Sequence, residues 1–332
     1  MTAGGHVSRP SVEQWGVLAD VADSYYKEQQ TQADIAERLG ISRVKVSRLL
    51  THASALGVVE FVVHRDDPRE RGLERELAMA FPGVEAFVLG PAVADLPTAL
   101  GRLAAAAVKP WLAAGRVAAI SYGRAVHETI RAIPAPHLND LLVVQMAGVE
   151  GATNPAVDGW ELVRYCADRL GGGYLHLPAG LFSSSAQLHE LLLADPRVWN
   201  VLEKASKADL AIVGVGSMEI TNSSLVRAGH LDEEGLAAAR RAGAVGYICG
   251  QYYDERGRPL PELNRLTLSL PLERLRDVGR VLGVAHGSDK AMPLLGALRG
   301  GYLGRIVTDD VAARAILARA CDPGAPPPEQ GG

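Results

Sequence analysis

From Val12 onward, apolar residues recur three and four positions apart: Val12, Trp15, Leu18, Val21, Ala22 and Tyr25. That spacing lines one face of a helix and predicts a helix over 11–30. A second helix is expected over 31–39 and a third from Ser42 to about Leu56. The run VVEFVVH, Val58 to His64, reads as a strand, and Asp66-Asp67-Pro68 then breaks the pattern. Beyond that break the pattern changes. Short apolar runs at 86–89, 117–121, 141–146, 210–215, 246–249, 266–269, 280–285 and 305–308 alternate with longer stretches rich in Ala and Leu. The longer stretches, at 96–112, 124–133, 157–170, 188–193, 233–241, 291–298 and 312–320, read as helices. Strand–helix alternation predicts an α/β fold with a parallel sheet covered on both faces. The expected organisation is four parts. Residues 1–10 are a disordered start and 11–66 a helix-turn-helix, winged-helix-like domain. Residues 67–322 are a Rossmann-like three-layer α/β effector domain, and 323–332 are a disordered tail rich in Pro and Gly.

Composition narrows the class. The chain has 332 residues, enough for two domains, with 48% hydrophobic and only 5% aromatic residues. Abundant Ala, Leu, Val and Gly suit helices and buried parallel strands better than an all-β sandwich. The net charge of −4 advertises no nucleic-acid binder, so any basic surface has to be local. Cys166, Cys249 and Cys321 fit no metal spacing or disulfide framework, which points to a reducing cytoplasm. The polar, Gly-rich start is unlike a signal peptide. No apolar run reaches the length of about 18 residues that spans a bilayer. His127, His137, His176 and His189 have no ligand-like spacing, so neither a metal nor a cofactor is expected.

The local basic surface lies between Thr31 and Thr51. Thr31 is a good N-cap, and Asp34 three residues on can complete a capping box. Gly40 follows Leu39, where a left-handed residue can end a helix. Ile41 can plug the space between two helices, and Ser42 caps the next one. Val46, Leu49, Leu50 and Ala53 then form an inner face and leave Arg43, Lys45, Ser47, Arg48 and Thr51 outside. That helix carries three cations and no acid between Ser42 and Leu56. In such motifs the second helix enters the major groove. Arg43 or Lys45 suits guanine acceptors, whereas Ser47 and Thr51 suit phosphates or mixed readout. Thr31 and Gln32, at the preceding helix start, suit a phosphate.

The stretch YYKEQQTQADIAERLGISRVKVSRLLTHASALGVVEFVV resembles the N-terminal signature of the SorC family of sugar-responsive bacterial regulators, sometimes grouped with DeoR-type proteins. SYGRAV, VVQMAG, VGVGS, GAVGYICGQYYD, NRL and VAHGSDKAMPLLGALRGGYLGRIVTDDVAA follow in that family's order. The resemblance implies an effector domain similar in fold to phosphosugar isomerases and CoA transferases. It also implies a sugar, polyol or phosphorylated-sugar effector, a homodimer or homotetramer, and effector-controlled binding of double-stranded operator DNA. No membrane partner and no catalysis are implied.

Candidate effector contacts follow from strand ends. Ser121, Gly123 and Arg124 close a strand and open a helix, where backbone N–H groups can hold an anion or a hydroxyl. Gly214, Gly216 and Ser217 end another strand, and His286, Gly287 and Lys290 a third. In open α/β sheets, ligands sit beyond such carboxyl ends. Gln145, Tyr247 and Asn264, in the quoted motifs, complete the set. Three positions depart from the family pattern. Ala125 replaces a usual Thr, Tyr247 a usual acid that suits sugar hydroxyls, and His286 a usual glycine. Asp309-Asp310 reads as a helix N-cap pair rather than a metal site. A phosphosugar isomerase or deaminase with an accessory helical domain is the alternative, and the absence of a compact acid–His cluster argues against it. A non-catalytic adaptor is a third reading, opposed by the cationic helix.

Overall fold

The computed structural model describes residues 12–59, 68–91, 93–134, 138, 140–151 and 154–320. The chain divides into two compact units, Met1–Asp67 and Pro68–Gly332.

The first unit holds α1 (Val12–Tyr26), α2 (Gln32–Leu39) and α3 (Arg43–Ala55). Val21, Ile35, Ala36, Val46 and Leu50 are buried together, with Tyr25, Ile41 and Leu49 packed against them. Ile41 is therefore the plug its position suggests. The first helix stops at Tyr26, short of the expected Gln30. Gln29 takes a left-handed φ of 57°, and the N–H groups of Lys27 and Glu28 turn back onto the Asp23 carbonyl at 2.9 and 3.0 Å. The capping box forms: Thr31 accepts from the Asp34 N–H at 3.2 Å, and Asp34 accepts from the Thr31 N–H at 2.9 Å. Gly40 closes α2 at φ 62°, ψ 32°. Of the expected strand at 58–64, Val58 and Val59 are a turn folded back on the Ala53 carbonyl. Residues 60–64, and with them the wing, lie outside the described residues. So do 1–10 and 323–332, the two segments expected to be disordered.

The second unit opens with α4 (Arg71–Ala80), β1 (Glu85–Leu89), α5 (Leu96–Ala114), β2 (Val117–Ile120) and α6 (Arg124–Ala132). It continues through β3 (Leu142–Gln145), α7 (Gly159–Leu170), β4 (Gly173–Leu175), α8 (Ala186–Ala194), α9 (Pro196–Ser206) and β5 (Leu210–Gly214). A small excursion follows: β6 (Gly216–Ser217), α10 (Ser224–Arg227), α11 (Glu233–Arg241), β7 (Gly246–Ile248) and β8 (Gln251–Tyr253). The chain then runs through α12 (Pro261–Asn264), α13 (Leu272–Leu275), β9 (Val281–Val284), α14 (Ala291–Arg299), β10 (Arg305–Asp309) and α15 (Asp310–Ala320).

Seven strands form one sheet in the order β1-β10-β9-β5-β2-β3-β4, and every pairing in it is parallel. Successive strand residues serve opposite faces. Ala118, Ile120, Val143, Leu210, Ile212 and Leu282 pack with α5, α6 and α7. Ala119, Val144, Ala211, Val213 and Ile306 pack on the other side with α4, α9, α14 and α15. This is the expected three-layer arrangement. The strand expected at 266–269 is absent: Thr267 and Ser269 each make one isolated bridge, to Phe182 and Ala147. That segment crosses between neighbours instead of running along one, while its Leu268 is fully buried.

The topology fixes where a ligand fits. From β2 the chain moves to β3 on one side, and from β5 it moves to β9 on the other. The carboxyl ends of β2 and β5 therefore diverge, which opens a crevice at the switch point of an open α/β sheet.

Candidate effector cavity and DNA-facing helix

A cavity of about 400 Å³ opens at that switch point. The loop after β2 gives it Ser121, Tyr122, Gly123 and Arg124, the end of β5 gives Gly214 to Gly216, and the end of β9 gives Ala285 to Gly287, with Asp289 and Lys290. Each contribution has a local cause. Ser121 Oγ accepts from the Gly214 N–H at 3.0 Å and so ties the two diverging strands together. Gly123 sits at φ 107°, a conformation closed to most side chains, and starts α6 pointing at the cavity. At Gly216 a Cβ would meet the Tyr247 ring at 2.1 Å, so only glycine lets that ring form the floor.

The lining carries two cations, Arg124 and Lys290, and two acids, Glu128 and Asp289. The Lys290 ammonium donates to the Val215 carbonyl at 3.0 Å. Burial first, then the like charges of Arg227 and Arg124, lower its pKa to about 8, although Asp289 opposes the shift. Burial also lowers the His286 pKa, with Lys290 and Arg124 adding to the effect and Asp309 opposing it. The same carboxylate of Asp309 accepts from the Gly287 N–H at 3.1 Å and caps α15 through the Ala312 N–H at 3.1 Å. It is thus the helix cap the sequence suggested.

The structure brings Ser121, Gly123, Arg124, Gly214, Gly216, Tyr247, His286, Gly287 and Lys290 around one cavity. Three other candidates stand apart from its lining. Gln145 is buried, and its amide bridges the Ala147 carbonyl at 2.6 Å and the Leu177 N–H at 2.9 Å. Ser217 is buried and anchors the Asp289 carbonyl at 3.4 Å and the Glu219 N–H at 3.1 Å. Asn264 pairs with both backbone groups of Tyr252, at 2.7 and 2.9 Å. These three spend their polar groups on the fold. Tyr247 lines the cavity with its ring, but its hydroxyl lies 3.0 Å from the Ser224 N–H and 3.1 Å from Ser223 Oγ, at the start of α10. Among the lining residues that sequence reasoning left out, Glu128 had a signal, since it follows Arg124 by one helical turn. Asn222, Ser224 and Cys249 had none, because the excursion after β6 carries them into place.

In the first unit, Thr31, Ser42, Arg43, Lys45, Ser47, Arg48 and Thr51 are all exposed, and Gln32 is half-buried. The Thr31 hydroxyl is engaged with Asp34 at 2.7 Å, and Ser42 caps α3 by accepting from the Lys45 N–H at 3.3 Å. Val44, passed over in the sequence, is 64% exposed in the first turn of α3. At 100° per residue it lies opposite the buried Val46, Leu50 and Ala53, on the same face as Arg48 and Thr51.

A helix-turn-helix unit followed by a doubly covered α/β unit with a crevice at the switch point of its sheet defines a ligand-responsive DNA-binding regulator. Comparison with known proteins gives the family. Residues 69–318 match the family described as "Putative sugar-binding domain". The transcriptional regulator LsrR of Klebsiella pneumoniae is 32% identical over 313 residues, covering 92% of this chain and 93% of the relative. LsrR of Escherichia coli K12 is 30% identical over 305 residues, covering 90% and 94%. The crystal structure of the full-length sorbitol operon regulator SorC from Klebsiella pneumoniae superposes with a TM-score of 0.69 at 26% identity, over 92% of this chain and 99% of that one. The chain belongs to the SorC family of sugar-binding transcriptional regulators. It is a regulator of transcription and not an enzyme, so the isomerase and adaptor alternatives fall away.

Proposed function

We propose that α3 reads an operator in the major groove and that a phosphorylated sugar or polyol in the cavity controls that binding. The observation that carries the choice of a phosphorylated ligand is the cationic side of the cavity. Lys290 and Arg124 line it, Arg227 lies close enough to depress the Lys290 pKa, and the α6 amino terminus begins there at Gly123. A buried ammonium that burial and like charges push toward neutrality gains most from a phosphate. In this reading Ser121, Gly123, Arg124, Gly214, Gly216, His286, Gly287 and Lys290 contact the effector, and the Tyr247 ring supports it.

On the DNA side, Arg48, Ser47 and Thr51 face the groove, and Val44 offers methyls to a thymine. Arg43, Lys45 and Ser42 flank them, with Thr31 and Gln32 toward the phosphates. The protein works as a homodimer or homotetramer in the cytoplasm. Dimers of such motifs place two recognition helices on two half-sites. Helix α8 supports self-association, because none of its residues is buried and Leu188, Leu191 and Leu193 are all exposed. Among the described residues, no helix is long and apolar enough to cross a membrane.

The test is a gel shift on DNA upstream of the gene, run with sugars, polyols and their phosphates. Salt-sensitive binding that a phosphorylated compound alters, and its unphosphorylated parent does not, is the expected result. A response to the neutral sugar alone overturns the phosphate assignment.

A further inference from the structure

Three polar atoms at or near the cavity have no hydrogen-bond partner among the described residues: Asp289 Oδ2 beside Lys290 and, as a separate pair, the Tyr122 hydroxyl and Glu150 Oε1. Tyr122 lines the cavity and is 6% exposed, yet its hydroxyl has no hydrogen-bond partner among the described residues. Glu150 is 2% exposed, and its Oε1 is likewise buried without a partner. The two are electrostatic neighbours, since the Glu150 charge adds to burial in raising the Tyr122 pKa. Ser224, which lines the cavity, stands beside the Glu150 carboxyl. Burial raises that carboxyl to about 7, with Asp158 acting in the same sense and Ser224 and Arg227 opposing.

Folds rarely leave such groups unpaired. A buried donor or acceptor without a partner keeps its full desolvation cost, and such groups concentrate where a function needs them. The contrast with neighbouring polar groups is sharp. Gln145, Ser217, Asn264 and the Tyr247 hydroxyl are all satisfied within the protein.

We propose that Tyr122 and Glu150 form a second, uncharged-hydroxyl subsite of the cavity, with the phenol donating to a ligand hydroxyl and the Glu150 carboxyl accepting from it. This rests on the reading that Lys290 and Arg124 take the phosphate, and it adds the requirement for the rest of the ligand. The effector carries a free hydroxyl at the end away from its phosphate. A phosphate ester with no hydroxyl fills only the cationic side. Tyr122 is the contact residue. Glu150, outside the lining itself, is reached past the Ser224 hydroxyl.

The test uses the full chain and the variants Tyr122→Phe and Glu150→Gln, with two independent readouts. The first is the melting temperature without ligand. Removing an unpaired buried hydroxyl leaves the fold as stable or more stable, so Tyr122→Phe is expected to melt at or above the wild-type temperature. A fall of several degrees shows a structural bond and overturns the proposal. The second is affinity for inorganic phosphate, for methyl phosphate and for a set of pentose and hexose phosphates. Wild type is expected to favour at least one sugar phosphate over methyl phosphate by about tenfold or more. Tyr122→Phe and Glu150→Gln are expected to erase that preference and leave inorganic and methyl phosphate unchanged. A preference that survives both substitutions overturns the subsite. If wild type binds no phosphate compound, the cationic-side reading fails instead, and the melting temperatures still decide on Tyr122.

Discussion

The two units of this chain were assembled under different rules. The helical unit draws its candidate DNA contacts from the single stretch Thr31 to Thr51, and its geometry is set by neighbours: the Thr31–Asp34 box, Gly40 at φ 62°, and Ser42 capping α3. The cavity draws its lining from segments that reach from Pro97 to Lys290. No part of that lining has meaning until the sheet brings the ends of β2, β5 and β9 together. A locally encoded site can be moved or damaged piece by piece. A site assembled across a sheet ties the stability of the unit to its function, because its cations and unpaired polar groups are held in place against their own preference.

That contrast is open to attack, beginning with the largest effect. Replacing Lys290 by Met removes the central cation of the cavity and should weaken a phosphorylated effector by about fiftyfold, as expected for a lost charge-assisted hydrogen bond. DNA binding without effector should be unchanged, and titration calorimetry paired with a gel shift reads both. Loss of DNA affinity in this variant would break the separation of the two sites. Arg48→Ala comes next, with operator affinity expected to fall about tenfold and effector affinity to hold, measured by fluorescence anisotropy at fixed salt.

Gly40→Ala tests local encoding directly. A Cβ at φ 62° meets nothing within 4 Å, so the cost is conformational strain alone, about 1 kcal/mol. Chemical denaturation should show it in the helical unit, with any separate transition of the α/β unit unmoved.

The smallest effect is a pH dependence. Burial depresses the Lys290 pKa in the folded protein, from 10.5 to about 8. The stability linked to that shift is present above 10.5 and is lost as pH falls through about 8. The charged lysine is therefore a liability at neutral pH, and Lys290→Met should raise the melting temperature more at pH 7 than at pH 10. A bound phosphate reverses the preference, so its binding at pH 8 to 9 should take up a proton. Calorimetry in two buffers of different ionisation enthalpy detects that uptake. Equal heats in both buffers would place the phosphate away from Lys290.

How much could be read from the chain varied with the same local–global divide. The ends of α2 and α3 were legible because caps and a left-handed glycine act within one turn. Most strands of the sheet were legible as apolar runs, since burial on both faces leaves no polar alternation. The edge strand β4 was not: Gly173 and Tyr174 are exposed and make no apolar run. Helix α4 was missed, and so was α9 despite its Asp195 cap and Pro196 start. Gln145, Ser217 and Asn264 had the right chemistry in the right motifs, yet the fold claims their hydrogen bonds.

The sequence by itself determined the helix-turn-helix, the alternation of strands and helices, and the strand-end glycines, because each depends on residues a few positions apart. Only the tertiary structure decided which polar groups would be spent on the fold and which would face the cavity. Whether a hydroxyl such as that of Tyr122 or Tyr247 finds a partner depends on what a distant segment places beside it. Tyr247 meets the start of α10, and Tyr122 meets no partner among the described residues.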